Sequence, residues 1–226
     1  MARFNRLQVY CTIIRTGMVP LFYNKDAELC KQVIKACYKG GLRVFEYTNR
    51  GDYAHEVFTE INKWATNEFP EMIIGVGSVV ESGTASMYIQ LGTNFIVSPI
   101  LNLEIAKVCN RRKIAWIPGC GTLSEINTAE ESGAEIVKIF PAKEIGGPSF
   151  VKSILGPCPW SSIMASGGVS PEPENLKSWF DAGVSCVGIG TQLFPKAVLE
   201  EKKFDELALK IKETLELVNK FKNQIT

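Results

Sequence analysis

The stretch MVPLFYNKDAELCKQVIKACYKGGLRVFEYT, residues 18–48, holds one complete strand–helix–strand unit. Short apolar runs open at Met18 and again at Val44, as buried strands do. Between them, apolar residues recur at helical spacing from Leu29 to Cys37, and Gly40-Gly41 is typical of a helix end. Because the helix must cross over between the two strands, the pattern indicates that they are parallel.

The same alternation runs through the rest of the chain. Short apolar runs, each followed by a helical pattern, begin near Met18, Val44, Met72, Asn94, Ile114, Glu135, Ser162 and Cys186. Their spacing of roughly 20 to 29 residues suits strand–helix units, and eight such units close into a barrel. An open doubly wound sheet is the competing fold, but it normally carries a glycine-rich loop after the first strand. This chain has Tyr23-Asn24-Lys25-Asp26 there.

We therefore predict an α/β fold, a (β/α)8 barrel in which residues 1–226 form a single domain. An N-terminal helix is expected over residues 1–16, and a C-terminal helix over residues 204–223. The short apolar run of the first segment is too little for a signal peptide or a membrane span.

Composition and charge narrow the range of functions. Lys and Arg number 25 against 24 for Asp and Glu, so no global field would attract nucleic acid or an acidic membrane. The 7 cysteines are scattered and include no C-x-x-C pair, which favours a reducing cytoplasm over a disulfide framework or zinc ribbon. His55 is the only histidine, and we expect it to be a partly exposed helix residue. With no histidine–carboxylate cluster, neither a catalytic metal nor another cofactor is expected.

Lys138 stands in the apolar run Ile136–Pro141, which reads as a buried strand. Burial disfavours a charged amine and lowers its pKa, and a neutral lysine attacks carbonyl groups to form Schiff bases. The alternatives are a lysine that extends from the strand end to water, or one that pairs with a carboxylate. Lys138 alone does not decide between them.

Three polar residues of the second predicted strand are candidates for the mouth of the barrel, where such folds place their active sites. Glu46 and Thr48 share one face of the strand, and Arg50 follows at its exit. Glu46 would serve as a general base and Arg50 as a fork for a substrate carboxylate. An internal ion pair between Glu46 and Lys138 is the plainer alternative.

Two glycine turns follow the seventh and eighth predicted strands, at Ala165–Val169 and Gly188–Thr191. Exposed backbone N–H groups in such turns bind phosphate, and these are the usual phosphate positions in this kind of barrel. Gly167, Gly168, Gly190 and Thr191 are therefore the predicted phosphate ligands. Ordinary turn chemistry is the alternative, and it explains the serines and glycines after the third and fourth strands equally well.

Taken together, these motifs resemble the family of bacterial 2-keto-3-deoxy-6-phosphogluconate (KDPG) aldolases, which also includes 4-hydroxy-2-oxoglutarate (KHG) aldolases. The resemblance runs from Gly17 to about Leu199. Its carriers are Met18–Leu21, Gly41–Arg50, Gly75–Val79, Ser98-Pro99, Ile117–Gly119, Val137–Ala142 and Ser166–Gly168.

The resemblance implies a class I aldolase that splits a 2-keto acid reversibly into pyruvate and an aldehyde. Lys138 would form the Schiff base and Glu46 would move protons. The remaining substrate contacts would come from Arg50, Thr48, Ser78, Pro99, Phe140 and Ser166. The resemblance also implies a homotrimer.

Two positions depart from the family pattern, and two other functions stay open. Ser78 stands where threonine is common, and Ala165-Ser166 replaces the usual Pro-Thr, so substrate preference is in more doubt than the reaction class. The first rival function is a phosphate-binding isomerase or synthase without a Schiff base. The second is a non-catalytic protein that binds sugar acids.

Overall fold

The computed structural model describes residues 2–223 and contains a single sheet of parallel strands. The strands are β1 (Met18–Phe22), β2 (Val44–Thr48), β3 (Ile73–Gly77), β4 (Phe95–Val97), β5 (Ala115–Ile117), β6 (Gly119–Cys120), β7 (Val137–Ile139), β8 (Ile163–Ser166) and β9 (Cys186–Ile189). Their order across the sheet is β5-β4-β3-β2-β1-β9-β8-β7-β6.

The two ends of that order, β5 and β6, are halves of one barrel strand interrupted at Pro118. β5 pairs with β4 on one side, and β6 pairs with β7 on the other, so the sheet closes on itself. Proline has no N–H group to give to a strand ladder, which accounts for the break. The predicted eight-stranded barrel is thus confirmed and the open sheet is wrong, although the split of the fifth strand was not predicted.

Helices alternate with the strands around the outside of the barrel. They are α1 (Arg6–Thr16), α2 (Ala27–Lys39), α3 (Ala54–Glu68), α4 (Ser82–Gln90), α5 (Leu103–Arg112), α6 (Leu123–Glu131), α7 (Gly147–Leu155), α8 (Pro173–Phe180), α9 (Lys196–Glu200) and α10 (Phe204–Lys222). The short α9 was not predicted, whereas α10 covers nearly all of the predicted C-terminal helix.

The N-terminal helix begins later than predicted. Asn5 is the N-cap residue of α1: its side chain accepts a hydrogen bond from the Gln8 backbone, and the Gln8 side chain accepts one from the Asn5 backbone. Such a capping box fixes the start of a helix, so the prediction of a helix from residue 1 is wrong for residues 2–5. Residue 1 itself lies outside the described residues.

The lower region of the barrel interior, at the N-terminal ends of the strands, is filled by apolar side chains and by the phenol ring of Tyr10. α1 covers this end with Val9, Tyr10 and Ile13, each at most 4% exposed. The strand residues packed with it are Val19, Val44, Ile73, Phe95, Val97, Ala115, Ile117, Ile136, Met164 and Cys186. Because they lie on the inward faces of neighbouring strands, they fill this end as a packed core.

The upper region of the interior lies at the C-terminal ends of the strands. Its inward-facing residues can be identified because side chains alternate between the two faces of a strand with a period of two. One step above the lower region, the inward positions are Leu21, Glu46, Thr48, Gly75, Gly77, Gly119, Lys138, Ser166 and Gly188. Four of these are glycines with no side chain to fill the barrel. The polar side chains of the upper region therefore occupy space that large apolar side chains would otherwise fill.

Candidate active site

Lys138 is held inside the barrel by β7, where its neighbours in the ladder are Gly119 and Met164. Its side chain is buried, and Nζ lies 4.7 Å from the centroid of the Phe140 ring. Burial is the main influence on the amine and lowers its pKa; the Glu46 carboxylate opposes the shift, and Arg50 adds to it. The amine does not extend to water, so the first alternative for Lys138 is wrong.

Glu46 occupies the neighbouring part of the upper region from β2 and is 1% exposed. Its carboxylate lies directly over Gly77, where a methyl group would come within 1.7 Å of Oε1. Burial raises the pKa of Glu46, while the charges of Lys138 and Arg50 act in the opposite direction. Among residues 2–223, neither carboxylate oxygen has a hydrogen-bonding partner. Glu46 and Lys138 thus interact electrostatically without forming a hydrogen-bonded ion pair.

Arg50 and Thr48 extend the same strand toward the mouth. The Arg50 side chain is exposed, and its charge is close enough to affect the pKa of both Glu46 and Lys138. Thr48 lies beside Gly77 in the ladder and is buried. Within the described part of the chain its hydroxyl has no hydrogen-bonding partner. The interior face of β2 therefore carries three buried polar oxygens that are unsatisfied by protein, an arrangement suited to a polar ligand.

The loops after β3 and β4 bring two further predicted residues to the mouth. Ser78 directly follows Gly77, is half-buried and has a left-handed backbone with φ of 60°. The Pro99 carbonyl oxygen lies 2.3 Å from where a methyl group on Gly119 would stand, and Gly119 is the ladder neighbour of Lys138. This close approach places the Pro99 turn against β6, the strand that pairs with β7.

The two predicted phosphate turns lie next to each other, at the ends of β8 and β9. Ser166 is buried, and its hydroxyl lies 3.1 Å from the position of a methyl group on Gly188. Gly167 and Gly168 follow with φ of 91° and 82°, values that favour glycine. Beyond β9, Leu193 donates its backbone N–H to the carbonyl of Gly190 in a tight turn, in which Thr191 is exposed.

All of the predicted site residues thus lie at the C-terminal end of the barrel. Lys138 lies next to the Phe140 ring and interacts electrostatically with Glu46, whereas Thr191 is at the exposed rim. His55 is half-buried on α3, as expected. Sequence reasoning missed Lys143, whose side chain lies across Gly168; only its place in the loop after a reactive strand pointed to it.

A second concavity, of about 560 Å³, lies at the opposite end of the barrel beside α1. Its lining is Phe4, Gln8, Cys11, Thr12, Arg15, Arg43, Pro70, Glu71 and Ile73. Arg43 is already engaged there, with its guanidinium 3.9 Å from the Tyr38 ring centroid and 3.2 Å from Glu71. This concavity brings no buried nucleophile together with an acid or base, so the upper region is the better candidate.

Within residues 2–223, no group of three or more His, Cys, Asp and Glu side chains is arranged to hold a metal ion. In that same part of the chain, none of the helices combines the length and hydrophobicity needed to span a membrane.

Comparison with known proteins shows the family. Residues 11–209 match the family of KDPG and KHG aldolases. The chain belongs to this family. It is 31% identical over 207 residues to the KHG/KDPG aldolase of Escherichia coli K12, covering 91% of this chain and 94% of that protein. It is 32% identical over 190 residues to the 2-dehydro-3-deoxy-phosphogluconate aldolase of Pseudoalteromonas atlantica, covering 84% and 86%.

Solved structures agree with this membership. The KDPG aldolase of Zymomonas mobilis ATCC 29191 superposes with a TM-score of 0.76 at 27% identity, covering 89% of this chain and 95% of that one. The KDPG aldolase of Legionella pneumophila shares the fold, with a TM-score of 0.81 at 24% identity over 90% and 96%. The predicted family, fold and reaction class are therefore confirmed: this KDPG/KHG-family protein is a class I aldolase, a carbon–carbon lyase.

Proposed function

We propose that this aldolase cleaves KDPG to pyruvate and glyceraldehyde 3-phosphate, and KHG to pyruvate and glyoxylate, through a Schiff base on Lys138. The observation that carries the proposal is a buried amine next to a buried carboxyl group, with the pKa of each shifted toward its neutral form by burial. A neutral amine is the form that attacks a ketone. The relatives from E. coli and P. atlantica carry names that include these substrates.

In the first step, Nζ of Lys138 attacks the C2 carbonyl carbon of the keto acid and forms a carbinolamine. Glu46, whose pKa is raised by burial in favour of the protonated form, donates a proton to the C2 hydroxyl, which leaves as water. The products are a protonated imine on Lys138 and a carboxylate on Glu46. The proton that the neutral amine lacks is thus supplied from within the pair.

In the second step, the Glu46 carboxylate removes the proton of the 4-hydroxyl, through a water molecule. The C3–C4 bond breaks, its electron pair flows into the imine to give an enamine, and the aldehyde leaves. Glu46 then returns the proton to C3, and hydrolysis of the imine releases pyruvate and the free amine. Because both oxygens of Glu46 lack protein partners, the carboxylate is free to serve at each stage.

The substrate carboxylate at C1 is assigned to Arg50, together with Ser78, Thr48 and the Pro99 turn. A guanidinium binds a carboxylate through two parallel hydrogen bonds, which would fix the orientation of C2 toward Nζ. The exposed position of Arg50 at the exit of β2 and the unpartnered Thr48 hydroxyl support this assignment. Phe140 would pack beside the reacting carbon, since its ring already lies next to Nζ.

The other end of the substrate is assigned to the turns after β8 and β9. Ser166 would bind a hydroxyl, while backbone N–H groups of Gly167, Gly168, Gly190 and Thr191 would bind a phosphate. One observation from a relative supports this: the KDPG aldolase of Zymomonas mobilis ZM4, 26% identical over 92% of this chain, has been solved with 3-phosphoglycerate.

We also propose that the protein forms a homotrimer and that residues 1–226 make up one domain. Four apolar side chains are exposed at the mouth: Val80, Ile100, Leu103 and Leu123, each 39–50% exposed. They follow neighbouring strands of the barrel. Asn102, which directly precedes Leu103, donates a side-chain hydrogen bond to the Val80 carbonyl. A cluster of exposed apolar residues supports an interface between subunits. Packing of α10 on α2 and α8, and of α1 on the strands, supports the single domain.

A cytoplasmic location and independence of cofactors complete the proposal. The 7 cysteines, all within the described residues, are free, and five of them are buried, which suits a reducing compartment. The imine on Lys138 would withdraw electrons from the C3–C4 bond, which is the task of the metal ion in metal-dependent aldolases.

Reductive trapping tests the proposal directly. The protein is incubated with pyruvate and sodium borohydride, and the adduct is measured by intact mass and located by peptide mapping. We expect one pyruvyl adduct per chain, on Lys138. Lys138→Met should take up no label, whereas Lys143→Met, which removes an exposed lysine of the next loop, should be labelled like the natural protein.

The rival functions predict other results. An isomerase or synthase without a Schiff base would give no adduct with folded protein under conditions that label a control aldolase. A protein that only binds sugar acids would be stabilised thermally by the keto acid without releasing pyruvate. Either result would overturn the proposed function.

A further inference from the structure

Lys143 lies in the loop after β7, which is hydrogen-bonded to the first phosphate turn. Its backbone N–H donates to the Gly167 carbonyl at 3.0 Å, and that of Ala142 donates to the Ser166 carbonyl at 2.8 Å. The backbone of Lys143 is therefore held in a fixed position beside the turn. This loop is the direct continuation of the strand that carries Lys138.

The side chain of Lys143 lies across Gly168. A methyl group on Gly168 would come within 2.3 Å of Lys143 Cβ and 2.9 Å of its Cδ, so the aliphatic stem covers the glycine directly. Nζ is only two bonds beyond Cδ in any lysine. The ammonium group therefore remains next to the Gly167-Gly168 turn, at the rim of the proposed phosphate site.

The charge of this ammonium group is uncompensated. Many exposed lysines are paired, such as Lys39 with Asp205 at 2.9 Å and Lys177 with Asp181 at 2.5 Å. Over residues 2–223, Lys143 Nζ has neither an ion pair nor a hydrogen bond. On the other turn, Lys210 is already engaged, since it donates to the Gln192 carbonyl at 3.1 Å. Lys143 is thus the lysine with an unengaged charge that contacts a glycine of these turns.

We propose that Lys143 determines specificity by binding the phosphate of the substrate, and so favours KDPG over KHG. A phosphate monoester carries close to two negative charges, and backbone N–H groups supply only partial positive charge. In KDPG the phosphate is attached through oxygen to C6. In KHG the second carboxylate is attached to C4, nearer to the imine carbon. An ammonium group at the rim can reach the phosphate of KDPG, which is farther from the imine carbon, but not the second carboxylate of the shorter substrate KHG.

This inference rests on the proposed function, and substitution of Lys143 tests it. Lys143→Met keeps the stem over Gly168 and removes the charge. KM for KDPG should rise roughly fivefold, the upper end for an exposed charge pair, with kcat and both constants for KHG unchanged. Lys143→Arg, which keeps the positive charge, should have a KM for KDPG close to that of the natural protein. Lys152→Met, which removes a solvent-exposed lysine from α7, is the matched control and should change neither substrate.

Ionic strength and inorganic phosphate give two further readouts. KM of the natural protein for KDPG should rise more steeply with salt than that of Lys143→Met, because salt screens an exposed charge. Inorganic phosphate should inhibit KDPG cleavage competitively, and more strongly in the natural protein than in Lys143→Met, because both ligands would occupy the site beside Lys143.

Each remaining outcome overturns the inference. An unchanged KM for KDPG in Lys143→Met would show that the charge does not bind the phosphate. An equal rise in KM for both substrates would show that Lys143 has a structural role. If the natural protein cleaves KHG but not KDPG, its substrate carries no phosphate for Lys143 to bind. If the natural protein forms no pyruvyl adduct and cleaves neither substrate, the proposed function fails, which the adduct measurement distinguishes.

Discussion

The lower and upper regions of the barrel interior are built from the same strands and differ in nearly every physical respect. In the lower region, inward side chains such as Phe95 and Met164 are fully buried and apolar, and α1 covers the end. In the upper region, Glu46 and Lys138 are almost as deeply buried but are ionisable, and they stand among glycines. Burial stabilises the first set of side chains and destabilises the charged forms of the second.

This contrast explains how one barrel combines stability with reactivity. Hydrophobic burial in the lower region contributes folding free energy that does not depend on any ligand. The upper region uses part of that free energy to keep an amine and a carboxyl group buried, and both groups are reactive because they are kept away from water. Changes in the lower region should therefore alter stability with little effect on chemistry, and changes in the upper region should do the reverse.

Replacing Lys138 should have the largest effect. Lys138→Met removes the nucleophile but keeps a side chain of similar length, so turnover should fall by at least about 10⁴-fold. The same change leaves the Glu46 carboxyl group buried without the Lys138 charge, so the pKa of Glu46 should rise further and the free energy of unfolding should become dependent on pH. Steady-state kinetics with KDPG and KHG, and urea unfolding followed by circular dichroism, measure the two effects.

The Lys152→Met variant is again the control, since it removes an exposed lysine and should change neither quantity. Normal turnover by Lys138→Met would contradict the Schiff-base mechanism.

The barrel itself was predictable from the sequence, because the patterns of its strands and helices are local. Met18 and Val44 open strands whose apolar character is visible within a few residues. The break at Pro118 was not foreseen, although the proline is plain in the sequence. Whether a proline ends a strand or divides it depends on the two partner strands, which only the closed sheet supplies.

The site was predictable where chemistry conflicts with its local surroundings. Lys138 and Glu46 are charged residues inside apolar strands, so the sequence alone marks them. Lys143 carries no such mark, because its relation to Gly168 arises from contact between the loops after β7 and β8. The absence of a hydrogen bond between Glu46 and Lys138 was equally hidden, since it depends on the geometry of strands β2 and β7 across the barrel.

Two glycines of β3 offer the sharpest test of the boundary between the regions. A methyl group on Gly77 would lie 1.7 Å from Glu46 Oε1, so Gly77→Ala must displace the carboxylate. Displacement of a reacting group by about 1 Å lowers kcat roughly 10²-fold, and we expect that loss with KDPG and KHG alike. Borohydride trapping should still label Lys138, only more slowly.

Gly75 is the upper-region position that touches the lower region, so Gly75→Ala is the matched variant on the same strand. A methyl group on Gly75 would come within 2.4 Å of the Phe95 ring, which belongs to the lower region. Overpacking of this kind costs about 1–3 kcal/mol of stability, and turnover of the folded protein should be retained. If the two variants lose activity and stability in the same proportion, the two regions are not separable.

In the lower region, Tyr10 should affect stability alone. Its hydroxyl donates to the Trp116 carbonyl and accepts from the Trp116 N–H, both at 2.9 Å, and burial raises the pKa of Tyr10 to about 12. Tyr10→Phe leaves two buried backbone groups without partners, at a cost of about 2 kcal/mol. Thermal unfolding should show the loss, with kcat unchanged. Tyr38→Phe, which removes an exposed hydrogen bond to Glu71, should shift the melting temperature far less.

The pH dependence of stability separates the two members of the Lys138–Glu46 pair. Burial raises the pKa of Glu46 above 4.5, so in Lys138→Met the folded state holds a proton that the unfolded state loses, and stability falls as pH rises above 4.5. Burial lowers the pKa of Lys138 below 10.5, so in Glu46→Gln stability falls as pH drops below 10.5.

Each single variant should therefore show a slope of up to about 1.4 kcal/mol per pH unit, with opposite signs. In the natural protein the pKa of Glu46 is raised and that of Lys138 is lowered, so their contributions to the pH dependence of stability have opposite signs and oppose each other. Stability between pH 5 and 10 should then depend on pH less than in either variant, as urea unfolding at a series of pH values can show. Parallel slopes in the two variants would mean that the pair does not share a proton, and the first step of the mechanism would then need another acid.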